Sequence, residues 1–245
     1  MIKGLWDSGA GMIARGLQAD ITANNLANNQ TTAFKEDRLG FRELIDGRLL
    51  LDRGRGVAAP ESRLRGGGET RMGQGPLQHT GAPLDFALDG PGFFVVETPD
   101  GERYTRDGHF SLSPEGQLQT ADGFPVLGEG GSLRLGPGPV EVNGDGVLSQ
   151  NGTALGSLRV VEFDEPRRLA KLGRALWEQP PDDPPPAPAR ATRAAQGMLE
   201  GANLRVVEQM VRLIEQERSY NFAQRALQIQ DENLGRAVAD IGRLK

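Results

Sequence analysis

Four residues whose side chains could perform hydrolysis lie within one short stretch: Asp85, Asp89, Asp107 and His109. A pair of carboxylates can act as general acid and general base, with the imidazole of His109 assisting proton transfer. Asp89 and Asp107, however, each precede a glycine, and Asp-Gly is a dipeptide typical of tight turns. We therefore interpret both dipeptides as turns, and we predict that the protein is not an enzyme and has no catalytic residue.

Two other motifs could bind a ligand but lack the residues that binding requires. Asn143-Gly144-Asp145-Gly146 is similar to the start of a calcium loop, yet the twelfth position, where a glutamate is needed, is Ala154. The glycine runs at 66–68 and 128–131 lack the lysine and the strand–loop–helix context of a phosphate-binding loop. The sequence therefore predicts no cofactor and no metal.

The composition of the chain excludes several classes of function. It has no cysteine, which excludes disulfides and thiolate sites, and its only histidines are His79 and His109. A net charge of −5 gives no basic excess for nucleic acid. No apolar run is long enough for a membrane span or for a cleavable secretory signal. We expect neither nucleic acid binding nor membrane insertion.

Both ends of the chain have the pattern of amphipathic helices. Near the C-terminus, apolar residues recur three or four positions apart, or at multiples of seven, which places them on one seam that a partner helix must cover. The seam comprises Val206, Met210, Leu213, Tyr220, Leu227, Leu234, Val238 and Ile241. An ordinary helix packed on its own β domain is the simpler alternative, but about 40 helical residues span roughly 60 Å, more than such a domain.

The N-terminal helix has apolar positions at similar spacing, and it ends in an asparagine-rich stretch. Its candidate contact residues are Leu5, Met12, Leu17, Ile21 and Leu26, followed by Asn24, Asn25 and Asn28. Four glycines weaken this helix by about 1 kcal/mol each relative to alanine, so it should become ordered only when packed.

The middle of the chain is rich in glycine, with 34 glycines in 245 residues overall, and turn signals recur every 7–15 residues. This spacing predicts a mainly antiparallel β domain. We predict an α+β fold in which the long terminal helices pair as a coiled coil. The predicted segments are an N-terminal helix at 1–35, an extended connector at 36–79, the β domain at 80–178, a Pro-rich linker at 179–195 and a C-terminal helix at 196–245. The linker is read as a spacer, with a ligand for a proline-binding groove as the alternative.

Three stretches, in the same order, resemble the flagellar basal-body rod and hook protein family. They are the segment from Ala23 to Lys35 (ANNLANNQTTAFK), the centre at 80–127 (TGAPLDFALDGPGFFVV and onward), and Gly197 to Asn203 (GMLEGAN) with its continuation to Tyr220. The sequence differs from the usual residues of this family at few positions of these stretches; Ala33, for example, stands where the family usually has glycine.

The resemblance implies a structural subunit of the flagellar rod, of the proximal or the distal type. Such subunits are exported through the flagellar type III apparatus without a cleavable signal peptide, and they polymerise with themselves and with other rod and hook subunits. They form the axial drive shaft of the basal body, in the periplasm, which transmits torque to the hook. The implied assembly residues add Phe34, Leu199, Glu200 and Asn203 to the helix positions above. The alternative function is a secreted cell-wall-binding or glycan-acting β module with helical arms.

Overall fold

The computed structural model describes residues 2–39, 68–173 and 175–242. The chain forms two compact units. The described residues of the helical unit are 2–27, 37–39, 68–70 and 205–242, and those of the β body are 28–36, 71–173 and 175–204. The predicted α+β class, with antiparallel sheets in the centre, is therefore confirmed.

Two long helices dominate the described part of the helical unit. Helix α1 spans Ile2–Ala27, helix α2 spans Val206–Gly242, and the two contact each other. Among their described residues, neither helix is long and apolar enough to cross a membrane. The contact agrees with pairing of the termini, whereas a supercoiled coiled-coil geometry remains a prediction.

Helix α1 ends at Ala27, within the predicted asparagine-rich stretch and before the end of the predicted segment 1–35, and Asn25 shows why. Its side-chain amide donates to the carbonyl of Asp37 at 2.8 Å, and its carbonyl oxygen accepts from the Asp37 N–H at 3.0 Å. The buried Asn25 side chain thus makes the two backbone hydrogen bonds with Asp37 that a neighbouring strand would otherwise make, and these bonds hold Asp37 beside the end of the helix. Strand β1 (Asp37–Leu39) then pairs antiparallel with β2 (Gly68–Thr70). The rest of the predicted connector, residues 40–67, lies outside the described residues.

The β body contains short strands joined by tight turns and one 3₁₀ turn at Pro166–Arg168. Its strands are β3 Leu77–His79, β4 Phe86–Asp89, β5 Phe93–Thr98, β6 Gly101–Thr105, β7 Phe110–Leu112, β8 Leu118–Thr120, β9 Leu127–Gly128, β10 Gly131–Ser132, β11 Val140–Val142, β12 Val147–Gln150, β13 Thr153–Ser157, β14 Val160–Glu162, β15 Ala170–Gly173, β16 Leu176–Glu178, β17 Ala187–Pro188, β18 Arg193–Gln196 and β19 Met198–Glu200.

The largest sheet has the strand order β15-β16-β6-β5-β14-β17. Its centre is the predicted hairpin β5–β6, in which Thr98 pairs with Gly101. Alternate residues of β5 enter different apolar clusters, because neighbouring side chains on a strand point to opposite faces. Phe94 and Val96 pack in one cluster and Phe93 and Val95 in the other. The sheet is therefore buried on both faces.

The segment predicted as a Pro-rich linker is part of the β body. Strand β17 pairs with β14, and β18 pairs with β4. The loop between them is fastened by the carboxylate of Glu162, which accepts hydrogen bonds from the N–H groups of Arg190 and Ala191 and from the hydroxyl of Thr192, at 2.7–3.1 Å. A spacer would have none of these contacts.

The C-terminal helix begins at Val206, later than the predicted residue 196. Residues 193–196 and 198–200 instead form β18 and β19, and β19 pairs with β3. Gly197, with φ +70°, lies between the two strands and takes a left-handed conformation that favours glycine. Cross-strand pairing at this place overrides the helical propensity of Met198, Leu199 and Glu200.

Gly108 lies where two backbone segments approach closely. Its carbonyl accepts a hydrogen bond from the N–H of Phe86 at 3.0 Å, and a Cβ placed on it would overlap the Phe86 carbonyl oxygen. The glycine of the Asp107-Gly108 dipeptide is thus required by this close approach.

We therefore expect Gly108→Ala to lower the free energy of unfolding by about 3 kcal/mol, because backbone atoms must move to admit a methyl group. Gly144→Ala is the matched control, since no atom lies within 4 Å of the position that its methyl group would occupy; that change should stay within about 0.5 kcal/mol. Urea denaturation of both variants measures the difference, and equal stability would show that the clash is relieved at no cost.

The hydrogen bonds that Glu162 accepts from the loop between β17 and β18 should make the stability of the β body depend on pH. Burial raises the pKa of Glu162, but the hydrogen bonds from Thr192, Ala191 and Arg190 outweigh it and hold the pKa below its usual 4.5. A carboxyl whose pKa is lower in the folded state contributes stability above its unfolded pKa and loses it as the pH falls through the folded pKa. We expect wild type to be more stable than Glu162→Gln at pH 7, with a difference that shrinks as urea denaturation is repeated below pH 4.5. A difference that does not change with pH would contradict the assignment.

Candidate functional site

The predicted helix seam is partly covered in the single chain. Met12, Leu17, Ile21 and Leu26 of α1 and Val206, Leu213 and Leu227 of α2 are half-buried. Met210 and Tyr220 remain 47% and 39% exposed. The side chains of Leu5, Leu234, Val238 and Ile241 lie outside the described residues. The seam therefore has members that α1 of the same chain does not cover.

The three predicted asparagines have different surroundings. Asn25 is buried and fastens β1, as described above. Asn24 is exposed on α1. Asn28 stabilises the turn after α1, because its side-chain oxygen accepts from the Thr31 hydroxyl at 3.2 Å and its carbonyl accepts from the Thr31 N–H at 3.1 Å. Asn25 and Asn28 therefore shape the end of the helix.

Residues 28–36 are held in the β body by the chain that leads into α2. The N–H of Ala33 donates to the carbonyl of Glu200 at 2.7 Å, and the N–H of Asn203 donates to the carbonyl of Phe34 at 3.1 Å. The Asn203 side chain accepts from the Glu36 N–H at 2.7 Å and donates to the Gly73 carbonyl at 2.7 Å. The N-terminal and C-terminal signature segments thus form one joint within the body.

Phe34 and Ala33 shape the buried surface of this joint. The ammonium of Lys171 lies 4.0 Å from the centre of the Phe34 ring and donates to the carbonyl of Lys35 at 3.0 Å. Ala33, with φ +55°, is buried in the left-handed region that favours glycine. A glycine would adopt this backbone conformation without strain, whereas alanine accepts some strain.

A cluster of three buried charges lies beneath the joint: Lys35, Arg106 and Glu200, exposed by 1%, 3% and 1%. Lys35 Nζ is 2.5 Å from Glu200 Oε1, and Arg106 Nη1 is 3.4 Å from Glu200 Oε2. The Gly75 N–H also donates to Glu200 Oε1, at 2.7 Å. We call this set the charge cluster.

The cations of the charge cluster are held by neutral acceptors as well. Lys35 donates to the carbonyl of Gly73 at 3.0 Å, and Arg106 donates to the carbonyl of Gly90 at 2.6 Å. The guanidinium of Arg106 also lies 5.0 Å from the centre of the Phe93 ring. Burial lowers the pKa of Lys35 and of Arg106, and the charge of Glu200 opposes that effect at both. Glu200 is thus the carboxylate that makes burial of both cations tolerable.

Known proteins share these segments. The family model of the flagellar hook protein FlgE/F/G D1 domain matches residues 87–152, and that of the flagellar basal body rod FlgEFG protein C-terminal region matches residues 195–240. The flagellar basal-body rod protein FlgF of Caulobacter vibrioides is 36% identical over 231 residues, which cover 93% of each chain. FlgG of Buchnera aphidicola subsp. Schizaphis graminum is 32% identical, covering 96% of this chain and 98% of that protein.

The chain belongs to the flagellar basal-body rod protein family. The resemblance seen in the sequence is thereby confirmed along nearly the whole length. Salmonella typhimurium FlgF, at 32% identity over 90% of both chains, extends the same similarity to a further relative.

In this rod-family chain, three of the four candidate catalytic residues lie together. His109 Nδ1 is 2.8 Å from Asp85 Oδ1, and Asp107 Oδ1 accepts from the backbone N–H of His109 at 3.1 Å. Burial raises the pKa of Asp107, while hydrogen bonds from His109 and Thr32 oppose the rise. Asp89 lies apart, exposed at the end of β4. The contact of Asp107 with the His109 N–H is the turn interaction expected for Asp-Gly-His.

The sequence assigned assembly roles to Glu200 and Asn203 but none to Lys35 or Arg106. The resemblance covered Lys35, since it ends the N-terminal segment, yet a lysine gives no sequence signal of burial. Arg106 lies beside the Asp107-Gly108 turn, and the sequence predicts it to be a surface residue because arginine, like lysine, is seldom buried.

We expect Glu200→Gln to lower the free energy of unfolding by about 3–5 kcal/mol, because it removes the carboxylate that pairs with both buried cations and leaves Arg106 only the charge of Glu162. The matched control is Glu102→Gln, which removes an exposed pair with Arg159 at 2.7 Å and should cost at most about 1 kcal/mol. Urea denaturation followed by fluorescence of the buried Trp177 measures both. Equal losses would mean that the charge cluster adds nothing beyond a surface pair.

Proposed function

We propose that this protein is a structural subunit of the bacterial flagellar rod, which polymerises through its paired terminal helices into the axial drive shaft and transmits torque to the hook. The observation that carries the proposal is the similarity to proteins named as basal-body rod subunits, which extends over more than nine-tenths of the chain. Its partners are copies of itself and other rod and hook subunits.

The helices support a polymeric role. Met210 and Tyr220 on the seam are exposed in a single chain, and further apolar side chains of α2 are exposed as well. Covering apolar surface is worth about 25 cal/mol per Å², so these residues favour association with other chains. The β body has its own two-sided core, so its folding does not depend on these side chains.

Location and export follow from the same proposal. A rod subunit acts in the basal body, within the cell envelope, and reaches it through the flagellar type III apparatus without removal of a signal peptide. The absence of cysteine suits a chain that must remain unlinked in an oxidising compartment.

A glycan-acting or cell-wall-binding module is the alternative, and Asp85, Asp107 and His109 are the residues that it would use. The family relationship does not favour it. A direct comparison is possible: hydrolysis of cell-wall glycan that disappears in an Asp107→Ala/His109→Ala variant would replace the structural proposal with an enzymatic one.

The proposal predicts that Leu227→Asp abolishes rod assembly and motility. Leu227 is half-buried on the seam, where a leucine is worth about 2 kcal/mol and a carboxylate must be desolvated, and every subunit repeats the defect. The matched control is Gln228→Asp, which adds the same charge at the next, exposed position and should leave motility unchanged.

The measurement is swimming in soft agar together with immunoblots of purified basal bodies from cells that carry each variant in place of wild type. Circular dichroism should show the β body intact in both variants. Normal motility with Leu227→Asp would show that the seam is not an assembly surface, and absence of the wild-type protein from basal bodies would refute the rod function.

A further inference from the structure

Helix α2 carries a second set of apolar residues on the side opposite its buried and half-buried residues. The covered side contains the buried or half-buried Gln209, Leu213, Gln216 and Ala223. The second set is 50% to 77% exposed and comprises Val207, Val211, Ile214, Phe222 and Ile229. A single chain therefore uses one side of α2 and leaves an apolar side uncovered among the described residues.

This outer row follows its own period. With the exposed Arg218 and Arg225 included, its members are four, three, four, four, three and four residues apart, which is two repeats of eleven residues. A repeat of eleven residues over three turns corresponds to 3.67 residues per turn, which is close to the period of an α-helix, so the side chains of the row stay on one face of an almost straight helix. The outer row is thus one continuous surface about 33 Å long, apolar with two positive charges on it.

Helix α1 has an exposed face of complementary character. Its buried residues, Thr22 and Asn25, lie on one side, while Ile13, Asp20 and Ala27 are exposed on the opposite side, seven residues apart. Ile13 is apolar, Asp20 is the one acidic group in that set, and Ala27 permits close approach. The seven-residue spacing of Ile13 and Asp20 equals that of Arg225 and Arg218.

We propose that the outer row of α2 binds the exposed face of α1 from a second copy of this chain. Ile13 packs beside Arg225, between Phe222 and Ile229, and Asp20, seven residues from Ile13, pairs with Arg218, seven residues from Arg225. The two surfaces differ, so each copy offers one to the copy before it and the other to the copy after it. A head-to-tail contact of this kind does not close into a dimer and produces rings or helical polymers. This inference rests on the proposed rod function and specifies the contact that extends the polymer.

Charge exchange tests the pairing. Asp20→Arg alone places like charges opposite each other in every contact, and so does Arg218→Asp/Arg225→Asp alone; each should reduce incorporation into basal bodies at least tenfold. When cells produce both variants together, contacts in an alternating polymer are all of opposite charge, so incorporation and motility should recover. Normal assembly of Asp20→Arg, or no recovery on mixing when both variants keep their circular dichroism, would overturn the proposal.

Disulfide cross-linking distinguishes the remaining arrangements, because the wild-type chain has no cysteine. In oxidised basal bodies, Ile13→Cys/Phe222→Cys should give a ladder of linked subunits, while Phe222→Cys alone should give none. The control, Ile13→Cys with Gln228→Cys, places the second thiol on a different side of α2 and should form at least tenfold less product.

The outcomes separate the contact from the function. Dimers of Phe222→Cys alone would mean that two α2 helices meet, and absence of any ladder in motile cells would mean that a different protein covers the row; both overturn the inference and leave the rod function intact. Absence of the chain from basal bodies would remove the function itself.

Discussion

The buried carboxylate of Glu200 is the constraint on which the rest of the β body depends. It neutralises Lys35, which comes from a segment 165 residues away in the chain, and it contacts Arg106 from the end of the central hairpin. Without it Lys35 would be a buried, unpaired charge, which costs several kcal/mol, and Arg106 would lose its paired carboxylate. Residues 28–36 must therefore lie in the body for the body to be stable. This requirement explains why the compact unit includes a piece of the N-terminal signature and is not a continuous central domain.

The same joint sets where both helices end. Asn25 closes α1 by bonding to Asp37, and Asn203 holds the backbone of Phe34 and Glu36 just before α2 begins. The segment that follows α1, residues 28–36, is thus hydrogen bonded to the segment that precedes α2. The signature residues of the two termini therefore have a local structural task, namely to hold residues 28–36 against the chain that precedes α2 within the β body, in addition to any contact between subunits.

The sequence predicted what depends on local pattern and missed what depends on distant partners. The turns, the central hairpin, the α+β class and the two terminal helices follow from glycine spacing and apolar periodicity. The strand character of Met198–Glu200 does not, because it depends on pairing with β3, and neither does the inclusion of the Pro-rich segment, which depends on Glu162 and β14. Lys35 and Arg106 read as surface residues because burial of a charge is visible only with its partner. The outer row of α2 was missed since Arg218 and Arg225 interrupt its apolar pattern.

The composition of the helices favours packing between chains over packing within one. Helix α1 contains glycines, and the covered side of α2 includes the polar Gln209 and Gln216, so α1 forms at a cost in helix propensity and the covered side of α2 is not purely apolar. The more strongly apolar side chains, Phe222, Val207 and Ile229, lie on the opposite side of α2 and are the most exposed of the large hydrophobic residues that the structure describes. A protein selected for stability as a monomer would place them the other way round. Their placement means that the helical unit reaches its full stability only when neighbours cover it, and a polymer supplies such neighbours at every subunit.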